Sequence, residues 1–302
     1  MENKHTFSAG VKAELCKQSI SRECCAAAEA YGILLYCNMF TPREIKIITS
    51  SRELSQRIPR LFRKAFGVDF DVLPPENPTG KSIFLITDTA KIAAIFEKFG
   101  YDAHSSLVHH INLGVLEDEC CKASFIRGAF LAGGSITDPE KRCHLEFVTA
   151  HMHVSRELFA MLLEMGFAPK DTMRAGHCIT YFKNSEAIED LFTTIGAPGS
   201  AMEMMNAKVE KDMRNAINRR VNCDSANADR IVSAAQGQLD KIRELDHEIG
   251  IDNLPRDLQE VAILRIANPE ASLSDLAMLS DPPVSKSCIN HRLRKLMNFK
   301  VE

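Results

Sequence analysis

The chain repeats itself. Glu23-Cys24-Cys25, followed by Gly32 and Leu35, returns as Glu119-Cys120-Cys121, Gly128 and Leu131, a displacement of 96 (119 minus 23, 128 minus 32). Ile92, Phe96 and Gly100 return as Ile188, Phe192 and Gly196 at the same displacement. Between them, Ser51-Arg52-Glu53-Leu54 returns as Ser155-Arg156-Glu157-Leu158, displaced by 104 (155 minus 51), the slip that a loop of different length produces. A period near a hundred residues is too long for a solenoid and implies two copies of a small domain. Two copies about a pseudo-twofold axis create a shared interface, where sites tend to form.

Hydrophobic periodicity gives both copies the same element order. In the first, residues 22–36 read as a helix with Cys25, Ala28, Gly32 and Leu35 on one face, and residues 44–50 alternate as a strand. Arg52–Phe66 reads as an amphipathic helix with its arginines opposite the apolar face, stopped by Gly67. Strands are expected at Asp69–Leu73 and Ser82–Ile86, joined by the turn from Pro74 to Gly80, and a helix at Lys91–Phe99. A short helix at Ala9–Lys17 precedes them. The second copy reads as a helix at Lys122–Ala132, a strand at His144–Thr149 and a helix at Ser155–Met165. A hairpin across Gly176 and a helix at Glu186–Ile195 complete it. The fold class is α+β: a duplicated αββαββα domain, then an all-α tail.

Ala197-Pro-Gly-Ser reads as a short break, after which residues 201–250 are polar and helical. Their basic residues read first as a solvated face, with phosphate contact by Arg219, Arg220 and Arg230 as the alternative. Helices follow at Pro255–Ala267, at 272–280 capped by Ser272 with Asp275 three residues on, and from Ser285. In the last, Ile289, Leu293, Leu296 and Met297 are expected to face inward, and Lys286, Ser287, Asn290, His291 and Arg294 outward. The expected domains are 1–110 and 111–197 for the two repeats, 198–252 for the helical linker and 253–302 for the tail.

The final pair has helix-turn-helix proportions. A helix entering the major groove needs small or hydrogen-bonding side chains at its N-terminal outer face, and Ser285, Lys286, Ser287, Asn290 and His291 supply them. It needs cations for phosphates, and Arg292, Arg294 and Lys295 supply those, with Ser272 at the start of the preceding helix. Net charge is −3, so any nucleic-acid contact is local: residues 282–300 carry no acid.

No apolar run reaches the length of a membrane span, and the polar start, Met1-Glu-Asn-Lys-His5, lacks a signal core, so a cytoplasmic, nucleoid-associated location is expected. The ten cysteines read as reduced, buried thiols. Adjacent pairs such as Cys24-Cys25 are expected on different sides of a helix and lack the intervening residues of a zinc knuckle. His151 and His153, alternating on a strand or its edge, and His109-His110 read as satisfied or exposed. No metal site and no cofactor are expected, and neither a phosphate-binding glycine loop nor a nucleophile motif is present.

Phe125-Ile-Arg-Gly-Ala-Phe-Leu-Ala-Gly-Gly-Ser135 resembles the LAGLIDADG helix of homing endonucleases, with Ala30–Asn38 as a worn first copy. That resemblance implies two helices crossing at the pseudo-twofold through Gly32 and Gly128, each ending in a metal-binding acid. Here those positions fall on Cys37 and Gly133, which cannot hold magnesium; Asp138 lies too far along to end the same helix. Metal-assisted phosphodiester cleavage is therefore expected to be lost. The degenerate duplication, the linker segment Asn218–Asn227 and the run Ser285–Lys295 together resemble the bacterial WhiA family over essentially the whole chain. The resemblance implies a non-enzymatic, DNA-binding transcription regulator of cell division, the cell cycle, chromosome segregation and sporulation. It also implies a tail like the promoter-reading region of sigma factors. Double-stranded DNA is the expected partner, with a protein partner through the repeats as a further one, and the chain is expected to be a monomer. The alternatives are an active metal-dependent endonuclease and a protein-interaction scaffold.

Overall fold

The computed structural model describes residues 6–75, 80–101 and 108–300. Residues 76–79 of the expected Pro74–Gly80 turn lie outside them. The chain divides into two compact units, 1–211 and 212–302.

The first unit opens with α1 (Phe7–Leu15), capped by the Thr6 hydroxyl. The first repeat is α2 (Glu23–Tyr36), β1 (Met39–Phe40), β2 (Ile45–Thr49), α3 (Arg52–Phe66), β3 (Ser82–Ile86) and α4 (Thr89–Lys98). The second is α5 (Glu119–Gly133), β4 (Gly134–Ile136), β5 (Leu145–Thr149), α6 (Met152–Glu164), β6 (Lys170–Arg174), β7 (His177–Phe182) and α7 (Ser185–Ile195). Each repeat carries its own antiparallel sheet, ordered β1-β2-β3 and β4-β5-β7-β6. The Asp69–Leu73 strand of the sequence reading is reduced to a single bridge, Val72 to Leu85, so the first sheet is one strand short of the second. The short strands β1 and β4 were too brief to show a period. Ala175 and Gly176 both take left-handed backbone in the tight β6–β7 turn, at φ 49° and 79°.

Alternating residues of β2, β3 and β5 (Ile45, Ile47, Phe84, Ile86, Leu145, Phe147) point into one continuous core with α2 and α5. The helix α3 is capped by Ser51 and ends on left-handed Gly67, whose N–H donates to the Arg63 carbonyl. Its arginines do not all face water: Arg57 is buried.

Ala197-Pro-Gly-Ser is not a break. Gly196, at φ 100°, ends α7, and Pro198 opens α8 (Pro198–Glu248), because proline fits the first helical turn, where no N–H partner is needed. Residues 212–234 of α8 are exposed on every face. Within the second unit, Ile242 and Leu245 of α8 join a core with α9 (Arg256–Ala267), α10 (Leu273–Leu279) and α11 (Lys286–Met297).

Candidate nucleic-acid interface

The helices α2 and α5 cross backbone to backbone. A Cβ on Gly32 would stand 2.2 Å from the Phe125 carbonyl oxygen, and one on Gly128 would stand 2.0 Å from the Glu29 carbonyl oxygen. The contact is reciprocal: Gly32 also faces the Ala129 nitrogen and Gly128 the Ile33 nitrogen, pairs that the repeat displacement exchanges. This is the isologous geometry of a twofold axis, and glycine is what permits it.

A buried charge cluster that sequence reasoning missed locks the crossing. The Glu29 carboxylate accepts Arg57 Nε (2.6 Å) and Nη2 (2.8 Å) from α3, and Arg127 Nε (2.9 Å) from α5. Further guanidinium N–H groups donate to the carbonyls of Cys16, Gln18 and Ile195 and to Ser124 Oγ. No period announces such a trio, because its members come from three helices.

The C-terminal ends of the two crossing helices are where a LAGLIDADG enzyme would carry its acids. Cys37 follows α2 with its thiol on the carbonyls of Leu34 (3.1 Å) and Met39 (3.2 Å), and burial pushes its pKa up to about 12. Gly133 ends α5 with no room for any side chain: a Cβ would meet Tyr36 Cδ1 at 2.6 Å and the Val148 carbonyl oxygen at 2.8 Å. An adjoining cavity of about 620 Å³ is lined by Lys12, Cys37, Ser51, Glu53 and Gly134 among others. Among the described residues Glu53 is its one carboxylate, and Ser51 Oγ donates to it at 3.0 Å. Lys12, from α1, donates to the Leu131 carbonyl at 3.1 Å, and burial lowers its pKa to about 8. An ammonium group thus caps the carbonyl end of α5, where a cation is electrostatically favoured.

In the second unit, Ser272 and Asp275 form a complete capping box on α10, so the Ser272 hydroxyl serves its own helix. Ser285 caps α11 by accepting from the Cys288 N–H. Ile289, Leu293 and Leu296 are buried against α9 and α10, and Ser285, Lys286, Ser287, Asn290, His291, Arg294 and Lys295 are exposed. Met297, expected inward, is exposed on the last turn. Arg292 is partly covered and reaches Glu260 of α9 at 3.4 Å, and Lys295 lies 3.8 Å from Asp257, so neither is a free cation. Arg219 and Arg220 are exposed on α8.

His151 and His153 do not alternate on a strand: His151 is the N-cap of α6 and His153 lies within it. The His151 ring stacks on His109 at 4.0 Å, and His109 Nε2 lies 2.7 Å from the Phe40 carbonyl oxygen. Burial lowers the pKa of both, that of His151 to about 4. Nor are the cysteines uniformly buried: Cys16, Cys121 and Cys178 are, whereas Cys24 and Cys223 are exposed. The Cys24 and Cys25 sulfurs, expected to diverge, lie 4.0 Å apart. Among the described residues, no helix is long and apolar enough to cross a membrane.

Two family models match the chain: the WhiA LAGLIDADG-like domain over residues 122–214 and the WhiA C-terminal HTH domain over residues 217–300. A probable cell division protein WhiA of Ruminiclostridium cellulolyticum is 38% identical over 301 residues, covering 96% of each chain. One of Clostridium perfringens is 36% identical, covering 98% of each. Full-length WhiA of Thermatoga maritima superposes over 97% of both chains with a TM-score of 0.59 at 23% identity.

Proposed function

The chain belongs to the WhiA family, and on that premise we propose that it is a sequence-specific, double-stranded-DNA-binding regulator without nuclease activity. The observation that carries this reading is the outer face of α11. Short polar side chains (Ser285, Ser287, Asn290) stand exposed at its N-terminal end beside Lys286, His291 and Arg294, over a buried apolar seam. Hydroxyls and amides there reach base edges, while the cations neutralise phosphates. Arg292 and Lys295, near Glu260 and Asp257, can rotate to phosphate at the cost of a weak surface pair. Ser272 contributes by fixing the start of α10, and Arg219 and Arg220 offer further phosphate contacts.

The loss of nuclease chemistry rests on the helix ends. Cys37 and Gly133 offer no side-chain oxygen ligand, Gly133 has no space for one, and among the described residues Glu53 is the one carboxylate that lines the adjoining cavity. The names of the relatives support a role in cell division; transcriptional control, chromosome segregation, sporulation and a nucleoid-associated cytoplasmic location belong to the same reading. We take the domains as 1–110, 111–197, 198–252 and 253–302, and the chain as a monomer.

Gel-shift titration of the intact protein against a randomised duplex pool tests this. The wild type enriches one sequence class, Asn290→Ala relaxes the enrichment and Arg294→Ala weakens binding to all sequences. Equal enrichment by wild type and Asn290→Ala would refute the placement. Cutting of supercoiled DNA with magnesium would restore the endonuclease reading. A repeat unit that binds a protein partner is a second reading, favoured by the net charge of −3. Wild-type protein that captures no duplex at low salt would support it.

A further inference from the structure

Across the pseudo-dyad, at the opposite ends of α2 and α5 from Cys37 and Gly133, the repeated Cys-Cys dipeptides meet. Both lie in a first helical turn: Cys24 and Cys25 directly follow Glu23, and Cys120 and Cys121 directly follow Glu119. The sulfurs of Cys24, Cys25 and Cys121 all lie within 4.8 Å of one another. Cys120 and Cys121 form a second such group with the Asp118 carboxylate. Cys25 Sγ is 3.8 Å from the Cys120 carbonyl oxygen, and the Arg22 guanidinium is 3.7 Å from Cys120 Sγ.

We propose that Cys24, Cys25, Cys120 and Cys121 form a binding site for one zinc ion, which clamps the two repeats together. In-chain spacing argues against a zinc knuckle, but the duplication supplies the four ligands as two pairs from two helices. Tetrahedral thiolates at about 2.3 Å from zinc stand about 3.8 Å from one another. The Cys24–Cys25 separation of 4.0 Å already meets this. The other separations in the Cys24, Cys25 and Cys121 group, none above 4.8 Å, need to close by no more than about 1 Å. A multi-iron cluster spreads its thiolates wider than these.

The electrostatics suit four thiolates around a divalent cation. Binding breaks four S–H bonds, releases four protons to solvent and forms four Zn–S bonds, with no oxidant or reductant, and leaves the site with two net negative charges. The positive N-terminal ends of α2 and α5 and the Arg22 guanidinium offset that charge. The site lies within the repeat unit, between the first turns of α2 and α5, so its occupancy stabilises the paired repeats.

The test uses the full chain, purified metal-free under a phosphine reductant and titrated with cobalt(II), then zinc. The expected result is one equivalent of cobalt with thiolate-to-cobalt charge transfer and the visible bands of tetrahedral coordination, displaced by one equivalent of zinc. Zinc-loaded protein should resist alkylation at the four cysteines while Cys223 is labelled. Cys25→Ser and Cys121→Ser should each weaken cobalt binding more than about 100-fold, beyond the loss typical of outer-shell changes, and Cys223→Ser should not. Three results would overturn the proposal, two of them read on the wild type, so that a poorly folding variant cannot mask them. These are absence of the charge-transfer band in reduced wild type, alkylation of the four thiols as fast as Cys223 in the presence of zinc, and unchanged cobalt binding in Cys121→Ser.

Discussion

Replacing Glu29 with glutamine removes the only negative charge from a buried trio. In the wild type one carboxylate accepts three N–H groups from two guanidinium ions, and the side chains of Glu29, Arg57 and Arg127 are 2%, 2% and 11% exposed. Glutamine keeps one acceptor oxygen and turns an NH₂ toward the guanidinium groups. At least one charged N–H then loses its acceptor, and the cluster passes from one net positive charge to two where little water can screen it. Breaking a buried pair from one side costs about 3–5 kcal/mol, a large share of the roughly 5–15 kcal/mol that holds a typical domain folded. The chain has no tryptophan, and its four tyrosines, Tyr31, Tyr36, Tyr101 and Tyr181, all lie in the repeat unit. Tyrosine fluorescence in a urea titration therefore reports on that unit. The expected outcome is an earlier midpoint with an unchanged slope. Replacing Glu29, Arg57 and Arg127 together with methionine should cost less than Glu29→Gln alone, because no unpaired charge is left inside. A loss below about 1 kcal/mol for Glu29→Gln would refute the assignment of the trio as the lock between the repeats.

Gly128→Ala places a methyl group 2.0 Å from the Glu29 carbonyl oxygen, so α2 and α5 must separate; a loss of about 3 kcal/mol or more is expected by urea titration, at or beyond the upper end of ordinary overpacking. Lys286→Ala and Arg294→Ala should each flatten the slope of log affinity against log salt by about 0.9 if each cation neutralises one phosphate; an unchanged slope in both would remove them from the interface. The His151 imidazole, stacked on His109 and held neutral by burial, has its pKa depressed from 6.5 to about 4. Its contribution to stability is complete above pH 6.5 and is lost as pH falls toward 4, because the unfolded chain takes the proton first. His151→Phe should therefore reduce the acid sensitivity of the urea midpoint between those values, and an unaltered pH profile would contradict the burial.

The helix α3 could be read from the sequence because Leu54, Ile58, Leu61 and Phe62 keep a helical period and Ser51 and Gly67 punctuate its ends. Its Arg57 could not be placed, since a period assigns a charged side chain to water unless a partner from another element neutralises it. The pairing of Gly32 with Gly128 was implied by the LAGLIDADG resemblance of the two repeated helices. That Gly133 has no space for an acid did not, because the obstruction is the Tyr36 ring and a strand carbonyl. The exposed polar face of α11 was legible in the Ser285–Lys295 run, but the proximity of Arg292 to Glu260 depends on how α9 and α11 pack. The cysteines are the sharpest case. Their 96-residue echo is visible in the chain, yet spacing along one segment does not tell which sulfurs two crossing helices bring together.

By itself, then, the sequence determined the duplication, the order of the helices within each copy, and the polar N-terminal face of the last helix. These follow from local propensity and periodicity. Only the tertiary structure decided that Glu29 would accept from two arginines, that Lys12 would cap the end of α5 and that the thiols of Cys24, Cys25 and Cys121 would converge. Each depends on distances between segments separated by tens of residues or more, and side-chain chemistry acts across those distances only once the backbones of α2 and α5 have met.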